Sequence, residues 1–442
     1  MIKLYNSLTR KREIFQFPKD HPVGIYLCGP TVYAPDHLGH ARTWIFFDWL
    51  RRFLLSKGLQ VKFVQNITDV GHLVDDTESG EDKIEKQAKA LKKTPQEIAR
   101  FYEAEHFRDM ADLNILKPDV SPRATDHIKD IIDYIKVLID KGFAYENQGN
   151  VYFKVRAFSG YGKLSRRDFS KSKTGARVDK DPLKRDPIDF ALWLKADPSH
   201  LQHWSSPWGE GYPGWHIECS VMSTKYLGQP FEIHGAASEL IFPHHENEIA
   251  QSFGFAGKPL ARYFLHSGML LINNQKMSKS LGNFITIKDA LRQNDADTIK
   301  IAFLSTFWRK PFNWVKKSFS EARKIKEKLL RAKSNAQSGQ AIIKSKIEKI
   351  LDNDFNTPKA LTLILNNLSK LSKEDFQYLE EIFGLILIIT NKLSEEQKKM
   401  INQREELRKR GDFKQADIIR EKLEKEGIII EDTKKGPQVL TF

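Results

Sequence analysis

At 442 residues the chain is longer than one hydrophobic core usually spans, so about two to four domains are expected. Its 40% hydrophobic and 29% charged residues describe a soluble globular protein, and with no N-terminal apolar leader and no uninterrupted apolar run of membrane-spanning length, a cytoplasmic location and no membrane partner are expected. A formal net charge of +14 with 11% aromatic residues points to a polyanionic partner such as nucleic acid, while only two cysteines, Cys28 and Cys219, argue against a disulfide framework.

In chain order, Val23–Leu27 reads as a buried strand and the segment from about Leu38 to Lys57 as a helix, with Trp44, Phe47, Leu50, Phe53 and Leu54 at helical spacing and Gly58 as its stop. A strand over Val61–Ile67 completes a β-α-β unit. Cys28, His37 and His40 fall where the first strand hands over to the helix, which is where open α/β sheets bind ligands. The free N–H groups and positive dipole end of a helix there suit a phosphate. A Pro/Gly-punctuated loop whose side chains only satisfy backbone groups fits the same residues. After Asn66–Asp69 come an acidic loop, Asp75–Asp82, and helices to about Leu116.

From Pro118 to about Pro213 the pattern changes: a helix (His127–Lys141), a strand-like run (Val151–Val155) and a basic loop (Arg166–Arg185) read as an insertion between two halves of a sheet. The second half resumes with Trp215–Cys219, a strand at Phe231–His234, a helix opening near Pro243 and a strand around Met269–Ile272, then the polar loop Asn273–Asn283. Beyond Thr286 strand signals nearly vanish, and helices are expected over 294–306, 315–335, 341–352, 357–371, 374–393 and 395–426. The last divides at Gly411-Asp412, with Asp412 able to cap its second half, before a short strand at Gly427–Asp432.

His244 and Glu248 are four residues apart, so on a helix they share a face and can ligate one metal, while His245 points elsewhere. Cys28 and Cys219, read as lying at turns beside polar motifs, would complete a set of two thiolates, an imidazole and a carboxylate, donors that suit zinc better than calcium or magnesium. A surface His/Glu pair and two merely buried cysteines are the plainer alternative. The run His-His-Glu-Asn-Glu lacks the His-Glu-x-x-His order of helical zinc proteases. His37 and His40 can bring two imidazoles to a phosphate, with Gly39 permitting close approach. Lys276 and Lys279, flanking Met277-Ser278, can swing two cations onto the same phosphates, where charge compensation lowers the barrier to in-line displacement; alone, that loop also reads as a solvated turn.

The order His37-Leu-Gly-His40, Lys276-Met-Ser-Lys-Ser280 and an all-helical C-terminal third resembles the class I aminoacyl-tRNA synthetases. The finer resemblance is to the cysteinyl-tRNA synthetases, through Cys28-Gly-Pro-Thr-Val-Tyr33, Gly39-His-Ala-Arg-Thr43, Asn66-Ile-Thr-Asp69, Pro213–Cys219, Phe242–Glu248, His266-Ser-Gly-Met269 and the tail Arg410–Arg420. It implies a two-step reaction in which L-cysteine and ATP give cysteinyl-adenylate and pyrophosphate, and the cysteinyl group then passes to the 3′ end of tRNA(Cys). It also implies one Zn2+ held by Cys28, Cys219, His244 and Glu248, ATP as substrate with Mg2+, and a monomer. Gly29, Thr31, Thr68 and Trp215 should surround the cysteinyl moiety. His37, Gly39, His40, Thr43, Lys276 and Lys279 should meet ATP, with His37, His40, Lys276 and Lys279 catalytic, and His234, Gly235 and Glu239 should face the adenosine. Where the family shows three glycines and an Asp after that histidine, this chain reads Gly235-Ala236-Ala237-Ser238-Glu239, which implies weaker ATP binding, with Glu239 still able to accept from ribose hydroxyls. Val70-Gly71-His72-Leu73 is a second departure, with no assigned consequence.

The expected fold is therefore α/β. A split Rossmann-like parallel-sheet catalytic domain (1–117 and 213–290) carries a connective insertion (118–212), and is followed by a stem-contact-like helical region (291–335) and an all-α anticodon-binding bundle with a small α/β tip (336–442). Two other readings compete. A ligase that passes cysteinyl-adenylate to a small amine, as in the mycothiol pathway, is opposed by the helical, lysine-rich region from 315 onward, and a non-catalytic tRNA-binding paralogue is suggested by Ala236, Ala237 and Glu239.

Overall fold

The computed structural model describes residues 1–71, 82–169, 181–278, 281–388, 393–425, 428–433 and 436–441. Lys279, Ser280, most of the acidic loop and residues 170–180 of the basic stretch lie outside them.

Seven elements position the site: β1 (Val23–Leu27), α1 (Leu38–Ser56), β2 (Val61–Gln65), α2 (Trp215–Leu227), β3 (Phe231–Ala237), α3 (His244–Ala256) and β4 (Ala261–Ser267). The four strands form one parallel sheet in the order β4-β3-β1-β2. Every residue of β1 is buried, as expected of a parallel strand covered on both faces. Pairing of β1 with β3 sets Tyr26 beside His234 and Leu27 beside Gly235. The two halves of the chain therefore meet at the sheet's centre, where strand order reverses and a crevice opens at the strands' carboxyl ends.

β4 escaped sequence reasoning, because Arg262 and His266 interrupt its apolar run, yet its inward residues Tyr263 and Leu265 join the core. A hairpin of Lys3–Asn6 with Lys11–Ile14 and a strand Phe312–Trp314, paired with Leu270–Ile272, were likewise unanticipated. The expected strand at Phe231–His234 continues through Ala237.

One face of the sheet, covered by α1, shares a hydrophobic core with the helices over Ala296–Leu304, Lys316–Asn335, Lys344–Leu351, Thr357–Leu365 and Lys373–Phe383. Trp49 Nε1 donates to the Phe383 carbonyl at 2.8 Å across that junction. The other face packs against the insertion, formed of a helix (Ile128–Asp140) and an antiparallel sheet of Ala144–Asn147, Asn150–Phe153, Phe190–Lys195 and Gly211–Pro213. Farther on, Glu395–Lys409 and Phe413–Lys425 are separate helices, and Asp412 caps the second by accepting from the Gln415 N–H at 3.2 Å. Buried Arg404 grips Asp432 with two bonds of 2.9 and 2.8 Å and ties the first of these helices to the closing hairpin, Ile428–Thr433 and Gly436–Thr441.

Candidate active site and metal centre

Cys28 follows β1 directly, and its N–H donates to the Gly235 carbonyl at 3.2 Å, extending the β1–β3 ladder by one bond. α2 contributes Cys219, and α3 contributes His244 and, one turn on, Glu248. Ligand atoms of Cys28, Cys219, His244 and Glu248 all lie within 4.8 Å of one another, and all four residues are buried. The structure corrects the placing of Cys219 at a turn: it sits in the second turn of a helix that begins at Trp215. His245, expected to point away from the His244–Glu248 face, is buried as well. A step of about 100° along α3 turns that ring toward the sheet, where Nε2 lies 3.2 Å from the Cys28 sulfur and Nδ1 lies 3.0 Å from Nε2 of His266. Cys28, His234, His245 and Glu248 accordingly form a second set with ligand atoms within 4.8 Å, sharing Cys28 and Glu248 with the first.

His234 is fully buried. Its Nε2 is 2.8 Å from Oε2 of Glu248 and its Nδ1 3.2 Å from the Tyr26 carbonyl, so the ring belongs to this cluster; the expectation that it faces an adenosine is corrected. The other carboxylate oxygen, Glu248 Oε1, is 3.0 Å from Nε2 of His244 but accepts no hydrogen bond among the described residues. Nδ1 of His244 lies 2.7 Å from Nδ1 of His216. With the proton between them on Nδ1 of His244, its Nε2 would keep a lone pair facing the same point as Oε1. Burial raises the Cys28 thiol and the Glu248 carboxyl, and the hydrogen bond from Cys28 with burial raises Cys219 well above its ordinary value. Burial also lowers His245 and takes His266 down to about 3. Soft donors held neutral around an orphaned carboxylate oxygen fit a divalent, thiophilic cation, whose charge would ionise the thiols.

The proposed cysteinyl-side residues surround this centre. Asn66 links them: its Oδ1 accepts from Gly29 N–H at 2.9 Å, and its Nδ2 donates to Thr68 Oγ1 at 3.0 Å. Thr68 in turn donates to Glu218 at 2.9 Å. Thr31 and Thr68 are joined by an isolated parallel bridge, and the Trp215 ring lies 5.0 Å from that of His244. A Cβ on Gly29 would stand 1.6 Å from the Asn66 carbonyl oxygen, which requires glycine there. Asn66, His216, Glu218, His245 and His266 were missing from the sequence-derived site, although all five lie in the motifs that carry the family resemblance.

A second constellation opens α1. His37 caps the helix, Nδ1 accepting from the His40 N–H at 3.1 Å, and the two imidazoles stack at 3.6 Å. Gly39 packs under the His37 ring, and the Cβ that glycine lacks would lie 3.0 Å from it. Lys276, on the strand Gln275–Lys276, pairs with Glu239 at 2.8 Å, which puts Glu239 against the first lysine of the Lys276–Ser280 motif. The far end of that loop is fixed: Leu38 N–H donates to the Ile285 carbonyl and Ile287 N–H to the Asp36 carbonyl, both at 3.0 Å. Two residues expected at ATP have packing partners within the protein. Thr43 is buried with its hydroxyl 2.8 Å from that of Ser267, and a Cβ on Gly235 would collide with the Phe47 ring at 2.3 Å.

A two-half parallel sheet with paired imidazoles at one helix start, and with Met277 of the lysine motif beside Gly39 between them, defines a class of protein. The model of the class I (C) tRNA synthetase catalytic domain matches residues 14–324. In fold, the chain is similar to Mycobacterium tuberculosis methionyl-tRNA synthetase in complex with methionyl-adenylate, with a TM-score of 0.56 and 15% identity over 82% of each chain. The cysteinyl-tRNA ligase anticodon binding domain model matches residues 390–439. The chain is 40% identical to the cysteine--tRNA ligase of Thermus thermophilus over 98% of both chains, and 41% identical to that of Geobacillus thermodenitrificans, again over 98% of both. It belongs to the cysteine--tRNA ligase family of aminoacyl-tRNA synthetases. Among the described residues, no helix is long and apolar enough to cross a membrane.

Proposed function

We propose that the chain joins L-cysteine to ATP, releasing pyrophosphate, and transfers the cysteinyl group to the 3′ end of tRNA(Cys), with zinc at Cys28, Cys219, His244 and Glu248 selecting the substrate thiol. The observation that carries this reading is the buried convergence of those four side chains near the carboxyl ends of β1 and β3, with the His37–His40 stack at the start of the helix that follows β1. When bound, zinc supplies a preference for sulfur over a hydroxyl that an apolar pocket, limited to about 10² or less between near-isosteres, does not. His234 and His216 orient Glu248 and His244 from behind. Gly29, Thr31, Thr68 and Trp215 form the walls against the cysteinyl moiety. His37, Gly39 and His40, with Lys276 and with Lys279 outside the described residues, compensate the charge of the Mg2+-bound ATP phosphates as pyrophosphate leaves. Glu239 reaches the ribose once Lys276 turns to the phosphates. The helices and hairpin over 390–439 hold the anticodon end of the tRNA, as that family model supports.

The test is cysteine-dependent ATP–pyrophosphate exchange by metal-replete protein, run with cysteine and serine in parallel. Exchange with cysteine exceeding that with serine by more than about 10² is expected. Equal exchange with both amino acids would sink the role given to zinc.

A further inference from the structure

Asp36, immediately before His37, the cap of α1, is buried, and its carboxylate is held between two imidazoles. Oδ1 lies 3.1 Å from Nδ1 of His40, and Oδ2 lies 2.7 Å from Nδ1 of His106, on the helix Pro95–Asp112. Burial opposes a charge here, but His106 and then His40 outweigh it and hold the Asp36 carboxyl well below the usual range. The same residue's carbonyl accepts from Ile287 beyond the lysine loop, so Asp36 joins α1, the helix bearing His106 and the loop's fixed end.

The His40 ring is further confined by stacking, at 3.6 Å on His37 and at 5.1 Å on Trp44, and Trp44 meets His106 edge-on at 4.7 Å. A carboxylate can only accept, so the Nδ1 of His40 that faces it carries the hydrogen. Asp36 is 5% exposed and the His40 side chain 39%, so the ring edge open to the cleft is the one that bears Nε2. His37 is the reverse case: its Nδ1 accepts from the His40 N–H, which places its hydrogen on Nε2. Two stacked imidazoles are thus held in opposite tautomers by different partners. An imidazole with Asp36 at Nδ1 and a phosphate at Nε2 donates to both anions.

We infer that Asp36 is a positioning residue for ATP activation, fixing His40 with Nδ1–H inward and Nε2 toward the phosphates, and that His106 steadies Asp36 from the opposite side. This rests on the placement of ATP given under Proposed function. The experiment uses the zinc-loaded full chain labelled with 15N-histidine. In the wild type without ATP, His40 is expected as the Nδ1–H form; a predominantly Nε2–H ring overturns the inference without any substitution. In Asp36→Asn that preference should be lost, and turnover in pyrophosphate exchange should fall roughly 10- to 100-fold, with KM for cysteine unchanged and partial recovery in Asp36→Glu. An Asp36→Asn protein that exchanges as fast as wild type overturns the inference alone, whereas a wild type without cysteine-dependent exchange overturns the reading of the site on which it rests.

Discussion

Nε2 of His244 stands 3.0 Å from Oε1 of Glu248 across one turn of α3, and that oxygen accepts no hydrogen bond among the described residues. A buried carboxylate oxygen left this way costs stability unless something positive meets it. Cys28 and Cys219 approach the same point from β1 and α2. The geometry alone leaves two quartets open, since His234 and His245 also reach Cys28 and Glu248.

Substitution separates the two quartets. Cys219→Ser should lose bound zinc, while His245→Asn should keep it, and His234→Gln should weaken zinc by about 10- to 100-fold as the partner that orients Glu248. Metal content by elemental analysis after dialysis reads this out. Retention in Cys219→Ser with loss in His245→Asn would assign the metal to the other quartet.

Lys276→Ala should lower pyrophosphate exchange by roughly 10²- to 10³-fold while leaving KM for cysteine in place, because its charge is needed where the phosphates separate. Glu239→Gln removes only an exposed pair, worth less than about 1 kcal/mol to stability, and should slow exchange less than Lys276→Ala. Steady-state exchange kinetics with both variants decide it, and a Lys276→Ala enzyme of normal turnover would remove that residue from the chemistry.

Asp69 sets a pH dependence of stability. Burial lifts its carboxyl to about 6, against hydrogen bonds from the Thr125 N–H at 2.9 Å and hydroxyl at 2.6 Å. A carboxyl raised in the folded state contributes stability in full below its unfolded value, near 3.9, and that stability is lost as pH rises through about 6. The loss amounts to at most about 3 kcal/mol. Denaturation midpoints at acid and neutral pH should therefore differ less in Asp69→Asn than in the wild type; an unchanged difference would show that Asp69 does not titrate there.

Gly29→Ala places a methyl 1.6 Å from the Asn66 carbonyl oxygen, a backbone atom that cannot swing aside. Destabilisation of about 3 kcal/mol is expected, seen as a lower urea midpoint with unchanged slope. A near-neutral substitution would mean that the Gly29–Asn66 contact relaxes freely.

What the sequence alone determined were the local relations. The four-residue spacing of His244 and Glu248 puts them on one helix face whatever surrounds them, and the apolar periodicity from Trp44 to Leu54 fixes α1 and, with it, the helix start that carries His37 and His40. The strand at Val23–Leu27 and the break at Gly411-Asp412 were legible for the same reason, since period and capping act within a few residues. Only the tertiary structure decided which side chains share a space. Cys28 and Cys219 become neighbours because β1 and β3 pair across the insertion, a long-range register that no local pattern encodes. His245 and His234 come within reach of Cys28 and Glu248, and Thr43 and Gly235 lie against Ser267 and Phe47, because packing of α3 and α1 on the sheet sets where each ring and methyl can go.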